Sequence, residues 1–204
     1  MIRRKKSSTC IIALKNTKGK ILIAADRRAS FDWSKHVTMN KPKVRKHNDY
    51  IIAGTGDGAL CSLFVDAFTP PEYTYEDLDV FMHHKFYKSV VRTLIGHDMA
   101  DAHKILKIPP DTYCGLVVAL HGHVYTVDMF NPDETGSLPY GVVAIDEVPT
   151  PFATGCGGEH AKGAIDALIL QGVKDTRLIA KTAIEVAAQN SPGCDATCDY
   201  VVES

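Results

Sequence analysis

Ser8-Thr-Cys-Ile-Ile-Ala-Leu-Lys15, followed by Gly19-Lys-Ile-Leu-Ile-Ala-Ala-Asp-Arg-Arg-Ala29, is the part of the 204-residue chain that decides its fold. Two aliphatic runs separated by Asn16-Thr-Lys-Gly19 predict two β-strands joined by a turn. Thr9 opens the first strand and Asp26 closes the second. The predicted hairpin therefore carries a hydroxyl and a carboxylate at one end.

The same residues resemble the start of proteasome β subunits and of the bacterial HslV-type protease. In that family, Thr-Thr-(Ile/Thr)-Val-Ala-Leu-Lys leads to Ile-Ala-Ala-Asp-Arg-Arg-Ala-Thr, and the resemblance covers most of this segment. It implies an N-terminal nucleophile (Ntn) hydrolase of the threonine protease type, with Thr9 at the position of the nucleophile.

Bulk composition favours a single domain and excludes several classes of partner. The length fits one domain over residues 9–204, preceded by a basic extension or propeptide over residues 1–8. A net charge of −1 favours neither nucleic acid nor an anionic membrane. No run approaches the roughly 18 apolar residues of a membrane span. With six dispersed cysteines that read as reduced thiols, the sequence predicts a soluble, cytoplasmic protein.

The rest of the chain alternates strands and helix pairs. Strands are predicted at 43–47, 50–53, 116–128 (a hairpin), 142–148, 152–154 and 198–203, and helices at 58–67, 75–95, 159–170 and 175–189. Thr74 and Asp77 form the capping pattern of the second helix, residues 31–40 are predicted to be a polar excursion, and a short helix is possible at 99–106. This order predicts an α+β fold and matches the four-layer αββα sandwich of the Ntn hydrolases.

Amide cleavage by a hydroxyl requires a base for its proton and a group that stabilises negative charge. A threonine at a free N-terminus supplies the base itself, since its α-amine has a pKa of about 7.7–8.0. The resemblance places Asp26 and Lys43 beside Thr9, the lysine assisting proton transfer and the aspartate pairing with it. Lys41 and Lys46 compete for the role of the amine, and Lys43 is favoured by its position before Val44.

Two further parts of the family's site have candidates here. The oxyanion donor is a backbone N–H in a glycine-rich turn, for which Gly54 and Gly56 both fit. Cys156 lies between two glycines where the family usually has Gly-Ser-Gly, and a thiol is a weaker hydrogen-bond partner than a hydroxyl. Around Ser191, where proteasome subunits carry an Asp and a Ser, no residue-by-residue match is made.

The sequence departs from the family pattern before the nucleophile. Residues 1–8 would have to be removed to free the amine of Thr9, and Ser8 stands where the family usually has glycine. Ser8 is the second candidate nucleophile and Cys10 the third. No cofactor is expected, because neither the histidines nor Cys194-x₃-Cys198 have the spacing of a convincing metal site.

Three functions fit these observations. The first is a threonine endopeptidase of a homo-oligomeric, self-compartmentalising ring that degrades peptides or unfolded proteins supplied by an ATPase unfoldase. The second is an unprocessed, catalytically silent assembly or scaffold protein of the same fold. The third is an Ntn amidohydrolase that acts on a small amide through Thr9 or Cys10.

Overall fold

The computed structural model describes residues 9–31, 35–74, 77–96, 113–130 and 142–204. The strands within these ranges are β1 (Cys10–Lys15), β2 (Ile21–Ala25), β3 (Arg28–Phe31), β4 (Lys35–Thr38), β5 (Val44–His47), β6 (Tyr50–Gly56), β7 (Tyr113–Leu120), β8 (His123–Phe130), β9 (Val142–Glu147), β10 (Phe152–Gly155) and β11 (Asp199–Val202). The helices are α1 (Gly58–Ser62, continued by a π-helical turn at Leu63–Ala67), α2 (Leu78–Phe81, a π-helical turn at Met82–Phe86, then Tyr87–Gly96), α3 (Gly158–Leu170) and α4 (Thr176–Asn190).

The predicted N-terminal hairpin forms the centre of the first sheet. This antiparallel sheet has the order β10-β1-β2-β11. At the hairpin turn, the Asn16 side-chain oxygen accepts the N–H groups of Lys18 and Lys20 at 2.9 and 3.0 Å. Gly19 has a φ of +77°, which glycine adopts without steric cost. The turn residues and the two aliphatic strands therefore form the hairpin that the sequence predicts.

The second sheet is antiparallel in the order β5-β6-β7-β8-β9. Its predicted hairpin is present, with His121 and Gly122 at the turn, both at positive φ. Part of the predicted polar excursion at residues 31–40 is instead strand, because β4 pairs antiparallel with β3. Their sequences lack the apolar alternation that identifies a half-buried strand, so sequence pattern alone could not reveal this pairing.

The residue that caps the N-terminus of α2 differs from the predicted one. The Asp77 carboxylate accepts the N–H of Val80 at 3.1 Å, so Asp77 and not Thr74 caps α2.

The buried face of α1 also differs from the one that helical spacing predicts. Val65 is buried and Ala67 is exposed, whereas helical spacing predicts Ala67 on the buried face. A π-helical turn adds a residue to the turn and rotates the following side chains, which accounts for the change.

Apolar side chains fill three layers between these elements. The outer layers lie between the second sheet and α1 and α2, and between the first sheet and α3 and α4. The middle layer joins the two sheets and includes Ile11, Ile23, Ile51 and Val117. The architecture is the predicted α+β, four-layer αββα sandwich. The possible helix at 99–106 lies outside the described residues.

In the described ranges, no helix combines the length and apolar character needed to cross a bilayer.

Candidate active site

Thr9 lies at the start of β1 and is buried. Its hydroxyl oxygen accepts a hydrogen bond from Lys43 Nζ at 2.9 Å, and its backbone N–H donates to Cys156 Sγ at 3.4 Å. A side chain on Gly155 would collide with the Thr9 carbonyl, because its Cβ would lie 2.0 Å from that oxygen. Glycine at position 155, with a φ of +89°, therefore lets β10 pass close to Thr9.

Asp26 follows β2 directly and is fully buried. One carboxylate oxygen accepts the N–H of Cys10 at 2.9 Å and Lys43 Nζ at 3.1 Å. The other accepts the N–H groups of Arg28 at 3.1 Å and Asp195 at 3.2 Å. Burial raises the pKa of Asp26 above its ordinary value, while the Lys43 ammonium and the N–H donors oppose that rise. The lysine and the backbone donors thus favour the ionised carboxylate.

Lys43 joins the hydroxyl to the carboxylate. It precedes β5, its side chain is 13% exposed, and its ammonium also contacts the Arg28 carbonyl oxygen. The competing amines lie elsewhere: Lys41 is 3.9 Å from Asp66, and Lys46 contacts Ser204. Thr9, Asp26 and Lys43 therefore meet at one point, as the resemblance implies, and their catalytic roles stay a prediction.

The two glycines proposed as oxyanion donors differ in their surroundings. The Gly54 N–H donates to the Lys43 carbonyl oxygen at 3.2 Å, so this group is engaged in pairing β6 with the start of β5. A Cβ on Gly54 would lie 3.1 Å from Cys61, which gives that glycine a packing role. Gly56 ends β6 with a φ of +108°. Of the two, Gly56 stays the predicted oxyanion donor.

The Cys156 sulfur makes more hydrogen-bonding contacts than the sequence suggests. Its sulfur accepts from the Thr9 N–H and lies 3.4 Å from the Cys194 sulfur. Hydrogen bonding by the Cys194 thiol lowers the pKa of Cys156 to about 6, with help from Ser191 and the Thr9 N–H and against the effect of burial. The lowered pKa favours the thiolate of Cys156, and a thiolate accepts a hydrogen bond from the Thr9 N–H better than a neutral thiol does.

Asp195 is a site neighbour that sequence reasoning missed. Besides donating its N–H to Asp26, it accepts the Thr38 hydroxyl at 2.8 Å and the N–H groups of Arg27 and Thr197 at 3.3 and 3.0 Å. Although burial opposes it, this donor set holds the pKa of Asp195 below its usual range. The turn after α4, in which no residue was matched to the family, thus supports Asp26.

The two rival nucleophiles have different standing. Ser8 lies outside the described residues. The Cys10 side chain is fully buried and packs in the layer between the first sheet and α3 and α4. Burial and the charge of Asp26 raise the pKa of Cys10, which disfavours the nucleophilic thiolate.

A metal centre is not indicated in the part of the chain that the structure describes, where no group of three or more His, Cys, Asp or Glu residues could hold an ion.

Comparisons with known proteins give matches among solved structures. BPH from Thiobacillus denitrificans, in complex with Epoxomicin, is 18% identical with a TM-score of 0.64, covering 96% of this chain and 98% of its own. Eukaryotic HslV from Trypanosoma brucei is 18% identical with a TM-score of 0.60, covering 96% and 99%. Anbu (ancestral beta-subunit) from Yersinia bercovieri is 15% identical with a TM-score of 0.58, covering 95% and 81%.

No family model and no curated protein matches the sequence. The resemblance seen in the N-terminal residues nevertheless extends to the backbone of nearly the whole chain. This protein therefore has the HslV/proteasome-like fold of the Ntn hydrolases.

Proposed function

We propose that this chain is a threonine-type endopeptidase subunit of an HslV- or proteasome-like ring. In this proposal, removal of residues 1–8 frees the amine of Thr9, whose hydroxyl is the nucleophile. The substrates are peptides or unfolded proteins, the assembly is a homo-oligomeric ring in the cytoplasm, and an ATPase unfoldase is a possible partner.

In the proposed chemistry the nucleophile and the base both belong to Thr9, and water completes the reaction. The Thr9 oxygen attacks the substrate carbonyl carbon while the freed α-amine accepts the hydroxyl proton. The peptide nitrogen leaves with a proton, and water then hydrolyses the Thr9 ester. In the removal of residues 1–8 the Thr9 nitrogen is still an amide and cannot act as the base. The Thr9 oxygen attacks the Ser8 carbonyl carbon, the hydroxyl proton passes through water to the Thr9 nitrogen, and that nitrogen leaves as the free amine. Water then hydrolyses the ester between Ser8 and Thr9.

The observation that carries the proposal is the position of the Lys43 ammonium. It lies 2.9 Å from the Thr9 hydroxyl oxygen and 3.1 Å from a buried Asp26 oxygen. A cation at this distance stabilises negative charge that develops on the hydroxyl oxygen, and the buried carboxylate keeps it in place. A threonine that merely opened a strand would not require this buried pair.

A catalytically silent assembly protein is the second candidate. Ser8 favours it, because the family usually has glycine before the nucleophile and a larger residue crowds the strained turn that self-cleavage requires. In this alternative the Lys43 and Asp26 pair is structural and residues 1–8 are retained.

The deciding experiment combines intact mass with hydrolysis of fluorogenic peptides. We expect the wild-type chain to begin at Thr9 and to be active, and Thr9→Ala to retain residues 1–8 and lose at least about a thousandfold of the activity. Thr9→Ser keeps the hydroxyl and serves as the matched control, with measurable activity and processing. Ser8→Ala should be processed and active, since it removes only the rival hydroxyl.

Three other results would support a different function or a different nucleophile. Retention of residues 1–8 in assembled, wild-type protein excludes the mechanism and favours the silent assembly. Loss of activity in Ser8→Ala but not in Thr9→Ala transfers the role of the nucleophile to Ser8. Hydrolysis of small amides without cleavage of peptides favours an amidohydrolase.

A further inference from the structure

Two pairs of cysteine sulfurs lie close together in the described part of the chain. Cys156 and Cys194 are 3.4 Å apart beside the Thr9 nitrogen, and Cys61 and Cys114 are 3.8 Å apart on the other side of the sandwich, where α1 meets β7. All four are free thiols. In the candidate site the Cys156 sulfur accepts a hydrogen bond from the Thr9 N–H, and the function proposed above assigns no role to Cys194.

The sulfur of Cys194 is held against Cys156 by the packing of its surroundings. A Cβ on Gly157 would lie 2.6 Å from that sulfur and 2.9 Å from the Cβ of Ala187. Glycine at position 157 therefore leaves the space in which the Cys194 sulfur sits. Since a disulfide bond is about 2.05 Å long, the two sulfurs need to approach each other by about 1.4 Å.

Disulfide formation requires one cysteine that reacts with the oxidant and a second that then attacks it, and the two cysteines differ in exposure. Cys156 is partly exposed, which favours its reaction with a small oxidant, whereas Cys194 is buried. Hydrogen bonding to Cys156 and burial raise the pKa of Cys194, whereas the pKa of Cys156 is lowered, and the two directions together favour the thiolate on Cys156. The thiolate is the nucleophile in cysteine oxidation.

We propose that Cys156 and Cys194 are an oxidation site that forms a reversible disulfide with hydroperoxides. The Cys156 thiolate attacks a peroxide oxygen and becomes a sulfenic acid, while the other oxygen leaves as hydroxide, or as alkoxide from an organic peroxide. The Cys194 sulfur then attacks the Cys156 sulfur and water leaves. In total the two cysteines lose two protons and two electrons, and the peroxide is reduced to water, or to water and an alcohol.

Disulfide formation alters the surroundings of the Thr9 nitrogen. The Cys156 sulfur, 3.4 Å from that nitrogen, becomes a neutral disulfide sulfur and can no longer carry the negative charge that its lowered pKa favours, so it is a weaker acceptor. If Thr9 is the nucleophile, its amine loses this partner and peptide hydrolysis falls. This consequence rests on the function proposed above, whereas formation of the disulfide does not.

The test is a titration of the purified wild-type protein with hydrogen peroxide, followed by alkylation of free thiols, intact mass and peptide mapping. We expect a loss of two hydrogen atoms, one cross-linked peptide pair joining Cys156 to Cys194, and full reversal by dithiothreitol. Cys194→Ala should abolish the cross-link and leave Cys156 as a sulfenic or higher acid. Cys194→Ser is the second variant, in case alanine disturbs folding.

Cys61→Ala is the matched control, because it removes one member of the other close pair. It should leave the cross-link and the basal activity unchanged. Absence of a Cys156 to Cys194 cross-link in wild-type protein, or a cross-link through Cys61 and Cys114 at the same peroxide concentration, overturns the proposal. A cross-link that forms in a chain without peptidase activity supports the oxidation site while the proposed function fails, so the two failures can be told apart.

Discussion

Lys43 stabilises the fold as well as the candidate site, since it is the cation that faces the buried carboxylate of Asp26. Removing one member of a buried ion pair leaves the other charged and poorly solvated, which costs more than the pair contributes. The Asp26 carboxylate then becomes neutral at a higher pH, because the cation that lowers its pKa is gone.

We expect Lys43→Ala to lower the free energy of unfolding by about 3 kcal/mol at pH 8 and by less at pH 5. With the pKa of Asp26 raised further, the folded variant binds a proton where the folded wild type does not. The stability of the variant relative to wild type therefore falls as the pH rises from the wild-type pKa to the variant pKa. Urea unfolding at both pH values measures this difference.

Lys41→Ala is the control for Lys43→Ala, because Lys41 is largely exposed and lies 3.9 Å from Asp66. Its effect on stability should be small and nearly independent of pH. A Lys43→Ala penalty that is the same at pH 5 and pH 8 would show that Asp26 does not titrate in response to the lysine.

Single residues were predictable only where a linear pattern identified them. Thr9, Asp26 and Lys43 lie in one N-terminal segment whose order resembles a known family, so their meeting point could be inferred. Asp195 supports Asp26 from 169 positions away, in a turn without a distinctive pattern. The proximity of Cys156 to Cys194 likewise arises from the docking of β10 and the turn after α4 on the same end of β1.

At the scale of elements, the N-terminus of α3 packs beside the candidate site. Gly157 is the residue immediately before the helix. A methyl group there would meet the Cys194 sulfur at 2.6 Å and the Ala187 Cβ at 2.9 Å. These contacts are shorter than packed atoms allow, and α4 would have to move away from α3.

We expect Gly157→Ala to destabilise the protein by about 1–3 kcal/mol through overpacking. Gly163→Ala, in the same helix, should instead stabilise it by about 0.5–1 kcal/mol, because no atom lies within 4 Å of the new Cβ and alanine favours helix. Thermal or urea unfolding of both variants checks the opposite signs. If both substitutions stabilise, the close packing at Gly157 is wrong.

Elements followed from the sequence where periodicity and turn residues agreed. In β1 and β2, Ile11 and Ile23 face the middle layer while Ile12 and Leu22 face the helices, which requires the continuous aliphatic runs of a strand buried on both sides. The hairpin of β3 and β4 was missed because it has no such run. The π-helical turn in α1 shifts its side chains by one position, which helical periodicity does not predict.

At the scale of the whole molecule, the three apolar layers connect the two large sheets to each other and to the helices on either side. Adjacent residues of β6 divide between two layers: Ile51 faces the first sheet in the middle layer, and Ile52 faces α1 and α2 in an outer layer. Both side chains are fully buried. If residues 9–204 form a single domain, as the length predicts, a cavity in either layer must destabilise the whole structure.

We expect Ile51→Ala and Ile52→Ala each to lower the free energy of unfolding by about 2–5 kcal/mol, through lost burial and the cavity left behind. Since β6 contributes side chains to both layers, urea transitions followed by far-ultraviolet and near-ultraviolet circular dichroism should coincide in each variant. All samples need the same protomer concentration, because assembly adds to apparent stability. Two separate transitions, with Ile52→Ala shifting only one of them, would instead show that the second sheet and its helices unfold as an independent unit.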